Sequence, residues 1–154
     1  MDTERTPAEP PAPSTSWTAG RRWEVTRVVL GIVYLVGALA HVALGHSEPE
    51  VYAAFADRAL VGVYTDLWTS LVVPYLAFLQ PLVVVFEFGL GAALLWRGRA
   101  VLAGHAAGAL LQAGLVLSGP WGPVNAVLAL VHVAALRASY PETVPDLARD
   151  RLWG

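Results

Sequence analysis

The chain has 154 residues, 56% of them hydrophobic and only 14% charged, with a formal net charge of −2 and a mean hydropathy of +0.54. Such apolarity in one small domain argues for lipid rather than water as its solvent. There is no cysteine, and all ten strongly basic residues are arginine. Disulfides, thiolate metal sites, quinone-linked disulfide-forming enzymes and lysine Schiff bases are therefore excluded, and the small charge gives no reason to expect nucleic acid as a partner.

In chain order, residues 1–22 carry Pro7, Pro10, Pro11 and Pro13 among small and polar residues. This composition predicts a disordered cytoplasmic tail, because it has too little apolar surface to offset chain entropy. A transmembrane domain is expected over residues 23–140, followed by a cytoplasmic tail over 141–154. Its first apolar segment is 28–44, preceded by Arg21, Arg22 and Arg27. The alternative reading, a cleaved export signal with a twin-arginine motif and an Ala38-Leu39-Ala40 cut site, is opposed by Glu24 and by the apolar character continuing beyond Ala40.

In the next stretch, Ser47 and Glu50 have capping-box spacing, and Val51, Tyr52, Phe55, Ala59 and Val63 fall on one helical face. They predict a short amphipathic helix on the outer membrane surface. The second segment, about 67–96, contains Pro74 and Pro81. At about 1.5 Å per residue it would span about 45 Å, so it must tilt, kink or begin outside the bilayer. The third and fourth segments cover about 100–117 and 124–136. The resulting fold class is all-α: an integral membrane four-helix up-down-up-down bundle. Arginine clusters before segment one, at Arg97 and Arg99, and at Arg137, Arg149 and Arg151 place both termini in the cytoplasm.

Each segment carries two polar residues seven apart: Tyr34 and His41, Gln80 and Glu87, His105 and Gln112, Asn125 and His132. Seven residues return to nearly the same helix face after about 10 Å of rise. Counting from the arginine flanks puts Tyr34, Glu87, His105 and His132 in an inner layer, and His41, Gln80, Gln112 and Asn125 in an outer one. Glu87 is the single acidic residue well inside an apolar segment. A carboxyl beside two imidazoles is suited to proton transfer, as quinone chemistry requires. His105 and His132, at similar depth on different helices, would alternatively suit axial ligation of a haem b. The dispersed ligands argue against zinc. Gly31, Gly37 and Ala38, Gly89 and Gly91, and Gly104 and Gly108 are read as sites of close helix packing.

Arg27-Val-Val-Leu-Gly31 leading into Gly37, a loop with Tyr52 and Phe55, and Glu87 followed by Gly89, Gly91, Leu94, Leu95 and Gly98 resemble the DoxX family of small four-helix membrane proteins. That family is related to DoxD-type subunits of thiosulfate:quinone oxidoreductase. The resemblance covers about residues 27–137. It implies a prokaryotic plasma-membrane protein, a component of quinone-linked oxidoreduction working with soluble or membrane redox partners. Glu87, His105 and His132 are then the expected catalytic residues, with Tyr34, His41, Gln80, Gln112 and Asn125 binding the ligand. Two other classes stay open: a non-catalytic scaffold for partner proteins, and a small proton-coupled transporter.

Overall fold

The computed structural model describes residues 15–153 and is all-helical, with no strand among those residues. Pro7, Pro10, Pro11 and Pro13 lie outside the described residues. The first helix, α1, spans Thr15–Ser47. It therefore starts within the stretch expected to be tail and runs unbroken through Ala38-Leu39-Ala40. Two short helices follow, α2 (Glu50–Ala53) and α3 (Gly62–Leu67), then α4 (Leu76–Leu95), α5 (Arg99–Leu115), α6 (Gly122–Ala135) and α7 (Val144–Trp153).

The second apolar segment breaks where Pro74 forbids regular continuation. A π-helical turn over Trp68–Val72 extends α3, a turn follows at 73–75, and α4 begins at Leu76. Pro81 is accommodated inside α4, although it cannot donate to the Ala77 carbonyl. The expected amphipathic helix is interrupted. It divides into α2, a 3-10 turn at Ala56–Arg58 and an extended step at Ala59, with α3 beginning at Gly62. Its capping box does not form: Ser47 donates back to the Ala43 carbonyl instead, and Pro49 precedes α2 without a side-chain cap. Instead of lying flat, this segment folds inward, burying Tyr52 and Ala56.

Four long helices pack side by side: α1 against α4, α4 against α5, and α5 against α6. Glycines set the close approaches, except Gly89, which faces away from its neighbours: a Cβ there would meet nothing within 4 Å. A Cβ on Gly91 would stand 2.8 Å from the Gly31 carbonyl, so α1 and α4 touch backbone to backbone. Gly98, at φ 59, makes the tight turn into α5 and donates to the Tyr140 carbonyl at 2.6 Å. Gly122 and Pro123 open α6, where a missing N–H costs nothing.

Large apolar side chains cover much of the outer surface, around a core in which Leu30, Leu90, Leu94 and Val101 are buried together with polar groups. Val85, Leu110 and Leu130 are about 70% exposed or more, whereas Arg27, His105 and His132 are completely buried. Two helical stretches, Gly20–Ser47 and Leu76–Leu95, are long and apolar enough to cross a membrane. Only 22% of the apolar window of each is buried, unlike the core helix of a soluble protein.

Candidate functional site

The helices present their polar stripes to one another, but the stripes meet as two clusters different from the layers that residue counting predicts. The first is a hydrogen-bonded chain deep between the helices. Gln112 Nε2 on α5 donates to the Tyr34 hydroxyl on α1 at 3.0 Å. That hydroxyl lies 2.9 Å from His132 Nε2 on α6, and His132 Nδ1 lies 2.9 Å from His105 Nδ1 on α5. Having accepted from Gln112, the Tyr34 O–H donates its one proton to His132 Nε2. His132 is then the Nδ1–H tautomer and donates to His105, whose Nε2 carries a proton. That Nε2 is buried and has no partner. Gly108 makes room for the pair, since a Cβ there would collide with the His132 ring.

The second cluster lines a cavity of about 430 Å³ toward the end that carries α2 and α3. The Tyr52 hydroxyl lies 2.7 Å from His41 Nδ1, and His41 Nε2 faces Glu87 Oε1 at 3.7 Å, a charge contact rather than a hydrogen bond. Gln80 Nε2 donates to the His41 carbonyl. Phe55, Trp68 and Trp121 add aromatic walls, and Leu79, Val83 and Leu111 add aliphatic ones. The roof is tied down by Trp68 Nε1 donating to the Tyr52 carbonyl, Thr65 Oγ1 to Ala56 and Leu60 N–H to Leu117. Among these apolar walls, Glu87 Oε2 is buried without a hydrogen-bond partner.

Glu87 thus stands with His41 and Tyr52, not with His105 and His132, while Gln112 belongs to the Tyr34 chain rather than the outer layer. The reason is directional. Helical side chains lean toward their own N-terminus. On α4 that lean carries Glu87 toward the cavity; on α5, which runs the opposite way, it carries Gln112 toward Tyr34. Asn125 faces the cavity, but its Nδ2 donates to the Leu115 carbonyl and fastens the start of α6 to the end of α5. The two histidines bond each other directly and pack against Gly108, so this arrangement does not fit a haem held between them. No group of three or more potential metal ligands occurs among the described residues.

Two contributors escaped the sequence reading. Tyr52 appears there as part of a helix face and of the loop that carries the family resemblance, not as a site residue. Arg27 appears as a flanking charge, yet it is wholly buried, donating to the carbonyls of Leu94 (3.0 Å), Trp96 (2.8 Å) and Glu142 (2.8 Å), and pairing with Glu24 at 2.6 Å. The signal was present, because Arg27, Tyr34 and His41 continue one seven-residue stripe. Compared with models of protein families, with curated proteins and with solved structures, the chain gives no match.

Proposed function

We propose that the chain is an integral membrane protein whose four long helices cross the bilayer up-down-up-down, with both termini cytoplasmic, and that its cavity binds a quinone or quinol. In this reading the Glu87–His41 pair accepts or returns the protons of the ring oxygens, and the protein serves as the membrane subunit of a quinone-linked redox system. The resemblance to the DoxX family points the same way.

Several features support the bilayer placement. The outward side chains are apolar and the polar ones are turned inward. Arg27 reaches both the turn after α4 and the segment before α7, so the arginine-rich flanks lie at one end of the helices. At about 1.5 Å per residue, α5 and α6 span about 26 and 21 Å, short for an average hydrocarbon core and workable with local thinning.

The observation that carries the ligand reading is the Glu87 carboxyl, which lines an apolar cavity without a hydrogen-bond donor to either oxygen: Oε1 faces His41 Nε2 only at 3.7 Å, and Oε2 is buried without a partner. A carboxyl without a donor among apolar walls is costly, and a ligand hydroxyl donating to it from the cavity would satisfy it. The apolar walls suit a ring and the start of an isoprenoid tail.

The test uses the purified full chain in detergent. Solvent extraction should release a quinone, and a short-chain quinone should quench the cavity tryptophans. Glu87→Gln and His41→Ala should each weaken that binding at least about tenfold, or about 1.4 kcal/mol. Extracts free of quinone, together with quenching unaltered by either substitution, would refute the assignment. A scaffold protein would give that result.

A further inference from the structure

We infer that the chain contains a proton path leading from the cavity toward the arginine-rich end, formed by Tyr34, His132 and His105. As a route for the protons of a bound quinol, it rests on the reading above. The geometry of the path stands independently of that reading.

Three successive heavy-atom distances, 3.0, 2.9 and 2.9 Å, connect Gln112, Tyr34, His132 and His105 without a gap. Every link belongs to a buried side chain. Stability alone does not call for this arrangement. The Nδ1-to-Nδ1 contact requires the two imidazoles to hold opposite tautomers, and it leaves the outer nitrogen of His105 orphaned. Such a chain is bistable, and bistability is what relay transfer uses.

One transfer balances as follows. With the Tyr140 ring moved aside, the proton on His105 Nε2 passes to water at the arginine-rich end, and the His132 Nδ1 proton moves to His105 Nδ1. The Tyr34 hydroxyl proton then moves to His132 Nε2, and the phenolic oxygen takes a proton from the cavity side. One proton enters, one leaves, and both rings end neutral with their tautomers exchanged. The first state returns when each ring turns out of the chain and exchanges its N–H proton between nitrogens through water at its own end, a step that moves no net proton.

The cavity end of the path is Glu87. Its Oε2 lies 3.1 Å from where a Cβ on Gly37 would be, and Tyr34 is three residues away on the same face of α1. The Glu87 Oε2 and Gln112 Oε1 atoms are both buried without partners near this junction. At the other end the path is sealed. The Tyr140 ring stands 5.6 Å from His105, with the Arg27 guanidinium 5.6 Å from the Tyr140 centroid.

Two measurements test the path. In the first, full-length Tyr140→Ala, which removes the seal, is reconstituted in liposomes holding a pH-sensitive dye, and a potassium diffusion potential drives protons. Flux should exceed that of protein-free liposomes at least tenfold, and adding Tyr34→Phe or His132→Phe should abolish the excess, while adding Ser47→Ala should not. Flux equal to that of empty liposomes, or flux indifferent to Tyr34→Phe and His132→Phe, would overturn the path. The second uses the wild-type chain and needs no variant to fold: nitrogen-15 spectra should show His105 and His132 neutral and in opposite tautomers. Identical tautomers, or an imidazolium at either ring, would equally overturn it. Driven flux without quinone quenching would sink the quinone reading and leave the path standing; quenching without flux would do the reverse.

Discussion

Replacing Arg27 by methionine should be among the most damaging single changes in this protein. The guanidinium holds three carbonyls from two separate segments, two at the C-terminal end of α4 and one before α7, together with the Glu24 carboxylate. Helix C-terminal carbonyls have no partner within their own helix, so here Arg27 serves as the cap. Methionine fills much the same space and donates nothing. A fully buried orphan acceptor costs about 1–3 kcal/mol, but only the bond to Leu94 is wholly buried. The other two lie where water can partly compensate. The expected loss is therefore about 3 kcal/mol, toward the low end for a buried ion losing its partner and well below three full penalties. Arg27→Lys should recover only part of this, because a single ammonium cannot span three carbonyls as a planar fork does. Glu24→Gln keeps an acceptor for Arg27 Nε but removes the charge from a carboxylate only 15% exposed, so it should cost less than Arg27→Met, about 1–2 kcal/mol. Reversible unfolding in mixed micelles, followed by circular dichroism, measures all three. A loss below about 1 kcal/mol for Arg27→Met would refute the view that this arginine closes the fold.

Glycine packing supplies a paired prediction. Gly108→Ala drives a Cβ into the His132 ring, whereas Gly89→Ala meets nothing within 4 Å. The first should destabilise by about 1–3 kcal/mol, and the second should be neutral or gain up to about 1 kcal/mol from helix propensity; equal effects in the same unfolding assay would refute the packing assigned to Gly108. The Tyr140 hydroxyl, which donates to the Ala135 carbonyl, is pushed up to about 12 by burial first and by the Glu24 carboxylate second, with Arg27 opposing. Because an unfolded tyrosine titrates near about 10, the native state favours the protonated form; this contribution is fully present below about pH 10 and is lost as pH rises toward 12. The near-ultraviolet tyrosinate difference between wild type and Tyr140→Phe should therefore titrate near 12, and a midpoint near 10 would show Tyr140 open to water.

The long helices were legible because each is an apolar run bounded by arginine, glycine or proline, and those signals are local. The inward stripe of each was legible too: Tyr34, His105, Gln112 and His132 all sit at seven-residue spacings, and all proved to share one hydrogen-bonded chain. The loop between α1 and α3 was not. Its helical face at Tyr52 and Phe55 was real, but it turned toward the cavity once Trp68 and Thr65 gave its carbonyls partners distant in sequence.

Helical period and hydropathy by themselves determined which side chains each long helix turns away from its apolar face, because those depend only on neighbours a few residues away. Which stripe meets which was decided in three dimensions. The backbone contact of Gly31 with Gly91 sets the stagger of α1 against α4. The opposite chain directions of α4 and α5 send Glu87 to His41 and Gln112 to Tyr34. A residue count gives the height of a Cα, whereas a hydrogen bond is made some ångströms away, at the end of a side chain whose lean depends on the direction of its helix.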